Sequence, residues 1–119
     1  MKIIVNQIPP SNNCYIGKNK RWEYSAKKKE WSELILNVCR ASKVIPKQPL
    51  SKATVRLTYY FKTRIRHDPD NYSGKFILDG LVNAGIITDD SFNNITLLLS
   101  GDYDKSNPRT EIEVTSEML

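Results

Sequence analysis

A ten-residue stretch near the middle of the chain, residues 53–62 (ATVRLTYYFK), constrains the fold more than any other part of the sequence. Its apolar side chains alternate with polar ones, which is typical of a half-buried β-strand with one polar face. We therefore expect a sheet whose apolar face is covered by other parts of the chain.

Hydrophobic periodicity and breaker residues predict five further elements. They are a strand at residues 2–7, a helix at 25–42, a helix at 71–84, a strand at 95–99 and a strand at 109–115. Ser25 is a suitable N-cap for the first helix, and Gly85 provides the glycine stop of the second. A turn is expected at residues 101–108. The order β-α-β-α-β-β predicts one small α+β domain, residues 1–119, with a mixed or mostly antiparallel sheet covered by two helices.

Residues 64–90 (RIRHDPDNYSGKFILDGLVNAGIITDD) concentrate acidic side chains in a basic chain. The full sequence has 18 Lys and Arg against 13 Asp and Glu, yet this segment holds Asp68, Asp70, Asp79, Asp89 and Asp90. Clustered carboxylates repel one another unless a cation or a proton neutralises them. Mg²⁺ binds through one or two carboxylates together with water and substrate phosphates. An acidic metal site in a basic protein suggests an enzyme that acts on a phosphodiester backbone.

Asp68 and Asp70 flank Pro69, which favours extended backbone at the residue before it. Side chains two apart in an extended segment project to the same side, roughly 6.5 Å apart along the chain, so both carboxylates could face one metal ion. The alternative is that Asp70 or Asn71 only caps the following helix.

Lys75 and Asp79 are one helical turn apart and share a helix face. They form either an exposed ion pair or a site in which the Lys75 amine stabilises charge on a phosphate. Asp89 and Asp90 follow the Gly85 stop, where an acidic pair in a turn is the alternative to a metal ligand.

Several classes of site are excluded. An EF-hand starting at Asp68 fails because Tyr72 and Ser73 stand where an oxygen ligand and a glycine are required. Cys14 and Cys39 are isolated, so zinc is not expected and free thiols in a reducing cytosol are the default. The apolar run at the start is too short for a signal peptide, and no segment approaches membrane-spanning length. We expect a cytoplasmic protein with no membrane partner and no organic cofactor.

The motif pieces together resemble the RusA family of Holliday-junction resolvases. That family's core reads D-x-D-N, a lysine, D-x-L, a glycine and D-D. This sequence is similar, with Asp68-Pro69-Asp70-Asn71, Lys75, Leu78-Asp79-Gly80-Leu81, Ala84-Gly85 and Asp89-Asp90 in the same order. The opening Pro9-Pro10-Ser11-Asn12-Asn13 is similar to its P-P-S-x-N. The resemblance extends from Ile8 to beyond Asp90.

The resemblance implies a homodimeric, Mg²⁺-dependent endonuclease that cuts four-way DNA junctions in recombination and repair, with Mn²⁺ as a possible substitute. It implies metal-binding catalytic roles for Asp68, Asp70 and Asp90, and a catalytic role for Lys75. Asn71, Asp79 and Asp89 are expected to support them. The Asn71–Lys75 spacing is one residue longer than in the family pattern. The extra residue either rotates Lys75 by about 100° on the helix or is absorbed near Gly74.

Basic residues in three regions are expected to contact the DNA backbone, which would make binding strongly salt-dependent. They are Lys18, Lys20, Arg21, Lys27, Lys28, Lys29, Arg64 and Arg66. Trp22 and Phe92 are candidates for the dimer surface. Two other functions remain open: a non-catalytic module that binds branched DNA, and a metal-dependent phosphoesterase acting on another substrate.

Overall fold

The computed structural model describes residues 1–15 and 20–117. In order along this part of the chain lie β1 (Lys2–Val5), α1 (Arg21–Ser42), β2 (Ala53–Phe61), α2 (Lys75–Asn83), β3 (Ile95–Tyr103) and β4 (Arg109–Ser116). Short 3₁₀ turns occur at Asn12–Tyr15 and Pro69–Asn71. This confirms the predicted α+β class and element order.

The four strands form one mixed sheet in the order β1-β4-β2-β3. β4 pairs antiparallel with β1 on one side and with β2 on the other, whereas β2 and β3 run parallel. Parallel strands need a crossover connection, and here α2 lies in that connection between β2 and β3. The carboxyl ends of β2 and β3 therefore meet at one end of the sheet.

The core lies between one face of the sheet and the two helices. The residues of β2 predicted to form its apolar face are buried, namely Val55, Leu57, Tyr59 and Phe61, and so is Ala53. From α1 the buried side chains are Trp31, Ile35 and Cys39, which recur every four residues and so share one helix face. Burial raises the pKa of the Cys39 thiol to about 11, which keeps it protonated.

The two helices pack closely at Gly80 of α2. A Cβ placed there would lie 2.9 Å from Cγ1 of Ile35, so only a residue without a side chain fits against α1 unless Ile35 moves. This close approach fixes the position of α2 relative to the rest of the core.

The predicted start of the first helix at Ser25 is wrong, because α1 begins at Arg21. The added first turn makes tertiary contacts: the Tyr24 ring centroid lies 5.4 Å from that of Tyr15 and 5.3 Å from that of Phe76. These contacts outweigh the preference for a serine cap. The lysines at positions 27–29 lie within α1, beyond its first turn.

The predicted start of the second helix at residue 71 is also wrong, because α2 begins at Lys75. Gly74 precedes it with φ +86°, a left-handed conformation that suits glycine and interrupts helical backbone. The predicted stop is confirmed, since Gly85 follows the helix with φ +79°.

The third strand is longer than predicted, running through Tyr103 where residue 99 was expected to be the last. Tyr103 pairs with Phe61, and the Asp104 amide donates a 2.9 Å hydrogen bond to the Phe61 carbonyl. Parallel pairing along all of β2 thus continues β3 into residues expected to form a turn.

Candidate active site

Asp68 and Asp70 lie in the connection between β2 and α2, at the end of the sheet where β2 terminates. Asp68 is extended, with φ −107° and ψ 139°, as its position before proline predicts. The expectation of a continuously extended pair is wrong, because the chain turns into 3₁₀ conformation at Pro69–Asn71. Neither Asp70 nor Asn71 caps α2, whose N-cap position is occupied by Gly74.

Both carboxylates influence Arg66. The Arg66 Nε atom donates a 3.0 Å hydrogen bond to Oδ1 of Asp68. That bond and the charge of Asp68, with a smaller contribution from Asp70, raise the pKa of the guanidinium. One of the predicted DNA-binding residues, Arg66, therefore contacts a predicted metal ligand, Asp68.

Asn12 ties the amino-terminal segment to this loop. Its side-chain amide nitrogen donates a 2.9 Å hydrogen bond to the Asp70 carbonyl and a 3.1 Å bond to Oγ of Ser73. The sequence indicated Asn12 only as part of a motif. Its position as a clamp on the acidic loop was missed, because 58 residues separate it from Asp70. No local periodicity could have revealed such a contact.

Lys75 and Asp79 share a face of α2, as their spacing predicted. The Lys75 Nζ atom lies 3.4 Å from Oδ1 of Asp79. Partial burial lowers the pKa of this amine, but the Asp79 and Asp90 charges outweigh it and the net shift is upward. Lys75 is therefore a stable cation at neutral pH. Residues 72–74 lie outside α2, as expected if the longer spacing is absorbed before the helix.

A hollow of about 160 Å³, which we call the acidic hollow, lies beside this pair. Its lining residues are Lys28, Asp79, Val82, Asn83, Asp89 and Asp90. The structure thus brings Asp79 and Asp89, predicted to be supporting residues, together with Asp90. The Asp90 amide donates a 2.9 Å hydrogen bond to Oδ1 of Asp89, which holds the turn in place.

Lys28, predicted only to contact DNA, lines the acidic hollow and pairs with Asp79. Its Nζ atom lies 3.7 Å from Oδ2 of Asp79, an ion-pair distance but too long for a hydrogen bond. That Oδ2 atom is buried and has no hydrogen-bond partner among the described residues. Lys28 projects from α1 toward α2 because the two helices pack together, a tertiary contact that the sequence reasoning missed.

The donor chemistry fits a hard divalent cation, although no complete metal site is formed. Within residues 1–15 and 20–117, no three His, Cys, Asp or Glu side chains converge in a way that could hold an ion. The available donors are all carboxylates, the ligand type that Mg²⁺ prefers, and Oδ2 of Asp79 is a buried acceptor without a hydrogen bond. In this arrangement Arg66 pairs with Asp68, and Lys75 and Lys28 both pair with Asp79.

The other predicted DNA-binding residues lie on two exposed regions. On α1, Arg21 and Lys29 are exposed, and Lys27 pairs with Glu30 at 2.8 Å. Lys20, just before the helix, lies 3.4 Å from Glu23. After β2, the Arg64 guanidinium lies 4.2 Å from the Tyr103 ring centroid. Lys18 lies outside the described residues.

No helix in the described ranges has the length and apolar character needed to cross a membrane.

Residues 7–115 match the family model described as endodeoxyribonuclease RusA. The matched range includes the Asn12 clamp, the loop with Asp68 and Asp70, α2 and the acidic hollow. No curated protein matches the chain.

Proposed function

The chain belongs to the RusA family of endodeoxyribonucleases, which resolve Holliday junctions, and from this premise we propose that it is a Mg²⁺-dependent resolvase acting as a homodimer in DNA recombination and repair. The observation that best supports this is the position of Lys75. Its amine pairs with Asp79, which lines the acidic hollow. Lys75 is also the first residue of α2, the helix that follows Asp68 and Asp70.

Asp68, Asp70 and Asp90 are the residues proposed to hold the metal, with Asp79 and Asp89 supporting them. A bound Mg²⁺ ion would lower the pKa of a coordinated water and neutralise charge on the leaving oxygen. Lys75 contributes a permanent positive charge that can stabilise a phosphate oxygen as negative charge develops on it. If a metal ion were bound to the Asp68 carboxylate, the Arg66 guanidinium would no longer be needed there and could contact a backbone phosphate.

The homodimer follows from the symmetry of the substrate. A four-way junction needs two symmetric nicks, and a chain with one acidic site provides them only in pairs, for which two-fold symmetry is the commonest arrangement. Trp22 and Phe92 have exposed fractions of 84% and 104%, so both remain available as contacts for a second copy. β3 lies at one edge of the sheet, where a strand of a second copy could pair with it.

The first prediction concerns Asp70. The parent protein with Mg²⁺ is expected to cut a labelled four-way junction in paired symmetric nicks, whereas Asp70→Asn is expected to lose at least a hundredfold in cleavage rate. The variant should still bind the junction in EDTA, because the charge that attracts DNA is elsewhere. Product mapping on denaturing gels and a binding titration measure the two properties.

The outcome separates the rival functions. Junction binding without nicks, equal with and without Mg²⁺, would indicate the non-catalytic module. Hydrolysis of small phosphoesters in the absence of junction cleavage would indicate the phosphoesterase. Cleavage by Asp70→Asn at the parent's rate would contradict the assigned site while leaving the family's activity in place.

A further inference from the structure

Asp79 of α2 pairs with two lysines that come from different helices. Its Oδ1 atom lies 3.4 Å from the Lys75 amine, and its Oδ2 atom lies 3.7 Å from the Lys28 amine of α1. One carboxylate carries a single negative charge, so the two lysines, which we call the lysine pair, keep an excess of positive charge. Such an excess suits an anionic ligand.

The packing of α1 against α2 determines where Lys28 lies. Asn83 of α2 donates a 3.0 Å hydrogen bond to Oγ of Ser32, about one turn after Lys28. Ile35, about two turns after Lys28, closely approaches Gly80 of α2. Side chains at these spacings share a helix face, so Lys28 belongs to the face of α1 that packs on α2.

The lysines on either side of Lys28 have different surroundings. Lys27 pairs with Glu30 at 2.8 Å, and Lys29 is exposed. Successive residues are rotated by about 100° around a helix, so neither neighbour shares the direction of Lys28. The role of Lys28 can therefore be separated from the general attraction of basic residues for DNA.

Both amines of the lysine pair are accessible to a ligand. The side chains of Lys28 and Lys75 have exposed fractions of 46% and 50%, whereas the Asp79 side chain has 15%. The carboxylate is thus held between the helices while the lysines reach solvent. Exposed ion pairs contribute little to stability, so each amine can move to a stronger anion at small cost.

Lys28 also lines the acidic hollow together with Asp89 and Asp90. Asp90 is a proposed metal ligand, so a phosphate that reaches it lies beside Lys28. The charges of Asp89 and Asp90 would be offset by a divalent ion, which leaves the lysine pair able to attract that phosphate.

We propose that Lys28 and Lys75 contact the same phosphate, the one that is cut, and that Asp79 positions both amines. This inference rests on the proposed resolvase function. It adds Lys28 to the groups that stabilise negative charge as it develops on the phosphate oxygens.

Three variants separate this role from general DNA binding. Lys28→Ala removes the amine, Lys28→Arg keeps a positive charge, and Lys29→Ala is the matched control at the next position. Under single-turnover conditions, Lys28→Ala is expected to cut a bound junction about tenfold more slowly than the parent. The other two variants should cut at nearly the parent's rate. The urea midpoint of Lys28→Ala should equal the parent's, because its ion pair is exposed.

A second measurement identifies the phosphate without relying on cleavage. Junctions carry one uncharged methylphosphonate linkage, at the cut or far from it, and binding is measured in EDTA. At the cut, this linkage is expected to weaken binding by the parent and by Lys29→Ala about fivefold more than binding by Lys28→Ala. The double variant Lys28→Ala/Lys75→Ala should be nearly insensitive there. Far from the cut, all four proteins should respond alike.

Asp79→Asn tests the positioning role. The amide keeps the shape of the side chain but loses the charge that holds the two amines. Cleavage of a bound junction should slow about tenfold, while junction affinity should stay equal or rise because one negative charge is gone. Weaker binding with an unchanged rate would contradict the positioning role.

Other results would overturn the shared phosphate contact. One is equal sensitivity of the parent and Lys28→Ala to the uncharged linkage at the cut. Another is a lowered urea midpoint of Lys28→Ala with the parent's cleavage rate, which would show that Lys28 only supports helix packing. Both leave the resolvase function intact if the parent cuts junctions. A parent that neither binds nor cuts junctions would overturn the proposed function and this inference with it.

Discussion

Lys75 is the residue whose role is most sharply defined by its surroundings. Its amine is partly buried, lies 3.4 Å from Oδ1 of Asp79 and remains protonated under the influence of Asp79 and Asp90. In the proposed role, the Lys75 cation would lie beside the reacting phosphate and stabilise the transition state more than the ground state. Its removal should therefore slow the chemical step more than it weakens binding.

For Lys75→Ala we expect cleavage of a bound junction to slow about a hundredfold under single-turnover conditions, with less than a tenfold change in junction affinity. Lys47→Ala is the matched control, because Lys47 is exposed in the connector that precedes β2. Equal losses in rate and affinity would show that Lys75 only attracts DNA.

Gly74 shows why the acidic loop has its shape. It has φ +86°, and a Cβ there would lie 2.4 Å from Cδ1 of Leu57 in the core. Gly85 has a similar φ of +79° but open space around it. Substitution at Gly85 therefore introduces backbone strain alone, whereas substitution at Gly74 introduces strain and steric overlap.

Gly74→Ala is expected to lower the free energy of unfolding by about 3 kcal/mol, from strain and overpacking together. Gly85→Ala should cost only about 1 kcal/mol, from strain alone. Urea denaturation of both variants measures the difference. Equal costs would contradict the close contact between Gly74 and Leu57.

At the residue level, the motif led to the right loops but not to their contacts. Asp68 and Asp70 were placed correctly between strand and helix, whereas the 3₁₀ turn at Pro69–Asn71 was missed. The Asn12 clamp and the Lys28–Asp79 pair depend on tertiary packing. Side chains far apart in the sequence leave no periodic signal, so such pairs appear only in the folded structure.

Among the elements, β4 carries an ion network on the polar face of the sheet. Glu111 accepts from Lys2 at 2.8 Å and from Arg109 at 2.7 Å, and Arg109 also donates to Asp104 at 2.8 Å. The Arg109 guanidinium lies 3.9 Å from the Tyr60 ring centroid. The hydrogen bonds from Lys2 and Arg109 lower the pKa of Glu111 below its ordinary value of 4.5.

A carboxyl group whose pKa is lowered by folding stabilises the folded state at pH values above its unfolded-state pKa. This stabilisation is lost as the pH falls through the folded-state pKa. Glu111→Gln should therefore lower the free energy of unfolding by about 1 kcal/mol at pH 7, and the difference should shrink below about pH 4.5. Glu113→Gln, on the same strand but exposed, is the control. Thermal melts from pH 3 to 7 measure both, and a pH-independent difference would contradict the ion network.

Periodicity predicted the elements well in their centres and less well at their ends. The alternation in β2 and the helical spacing of Trp31 and Ile35 in α1 identify side chains that the core buries. Helix starts were wrong at Ser25 and at Asn71 because aromatic packing at Tyr24 and the left-handed Gly74 override local propensity. The predicted third strand was too short because the last residues of β3 are extended through pairing with β2, and their own residue types favour a turn.

For the whole molecule, we expect DNA binding dominated by phosphate contacts, because the net charge is +5 and basic residues are exposed on α1 and on the segment after β2. We expect the logarithm of junction affinity to fall linearly with the logarithm of salt concentration. Lys29→Ala should weaken binding to all junction sequences alike and reduce the slope by about 1, whereas Lys47→Ala should not change it. A salt-independent affinity would argue against this electrostatic mode of binding.

The sheet order has a consequence for how the protein is made. β4 pairs with both β1 and β2, yet it is the last of the four strands to leave the ribosome. Lys2 of β1 cannot pair with Glu113 until β4 has been synthesised, and the edge of β2 that pairs with β4 is unpaired until then. Contacts so distant along the chain form slowly, and open strand edges invite association with other chains. The sheet is therefore expected to close only after β4 has been synthesised, and the edges of β1 and β2 that pair with it stay unpaired until then.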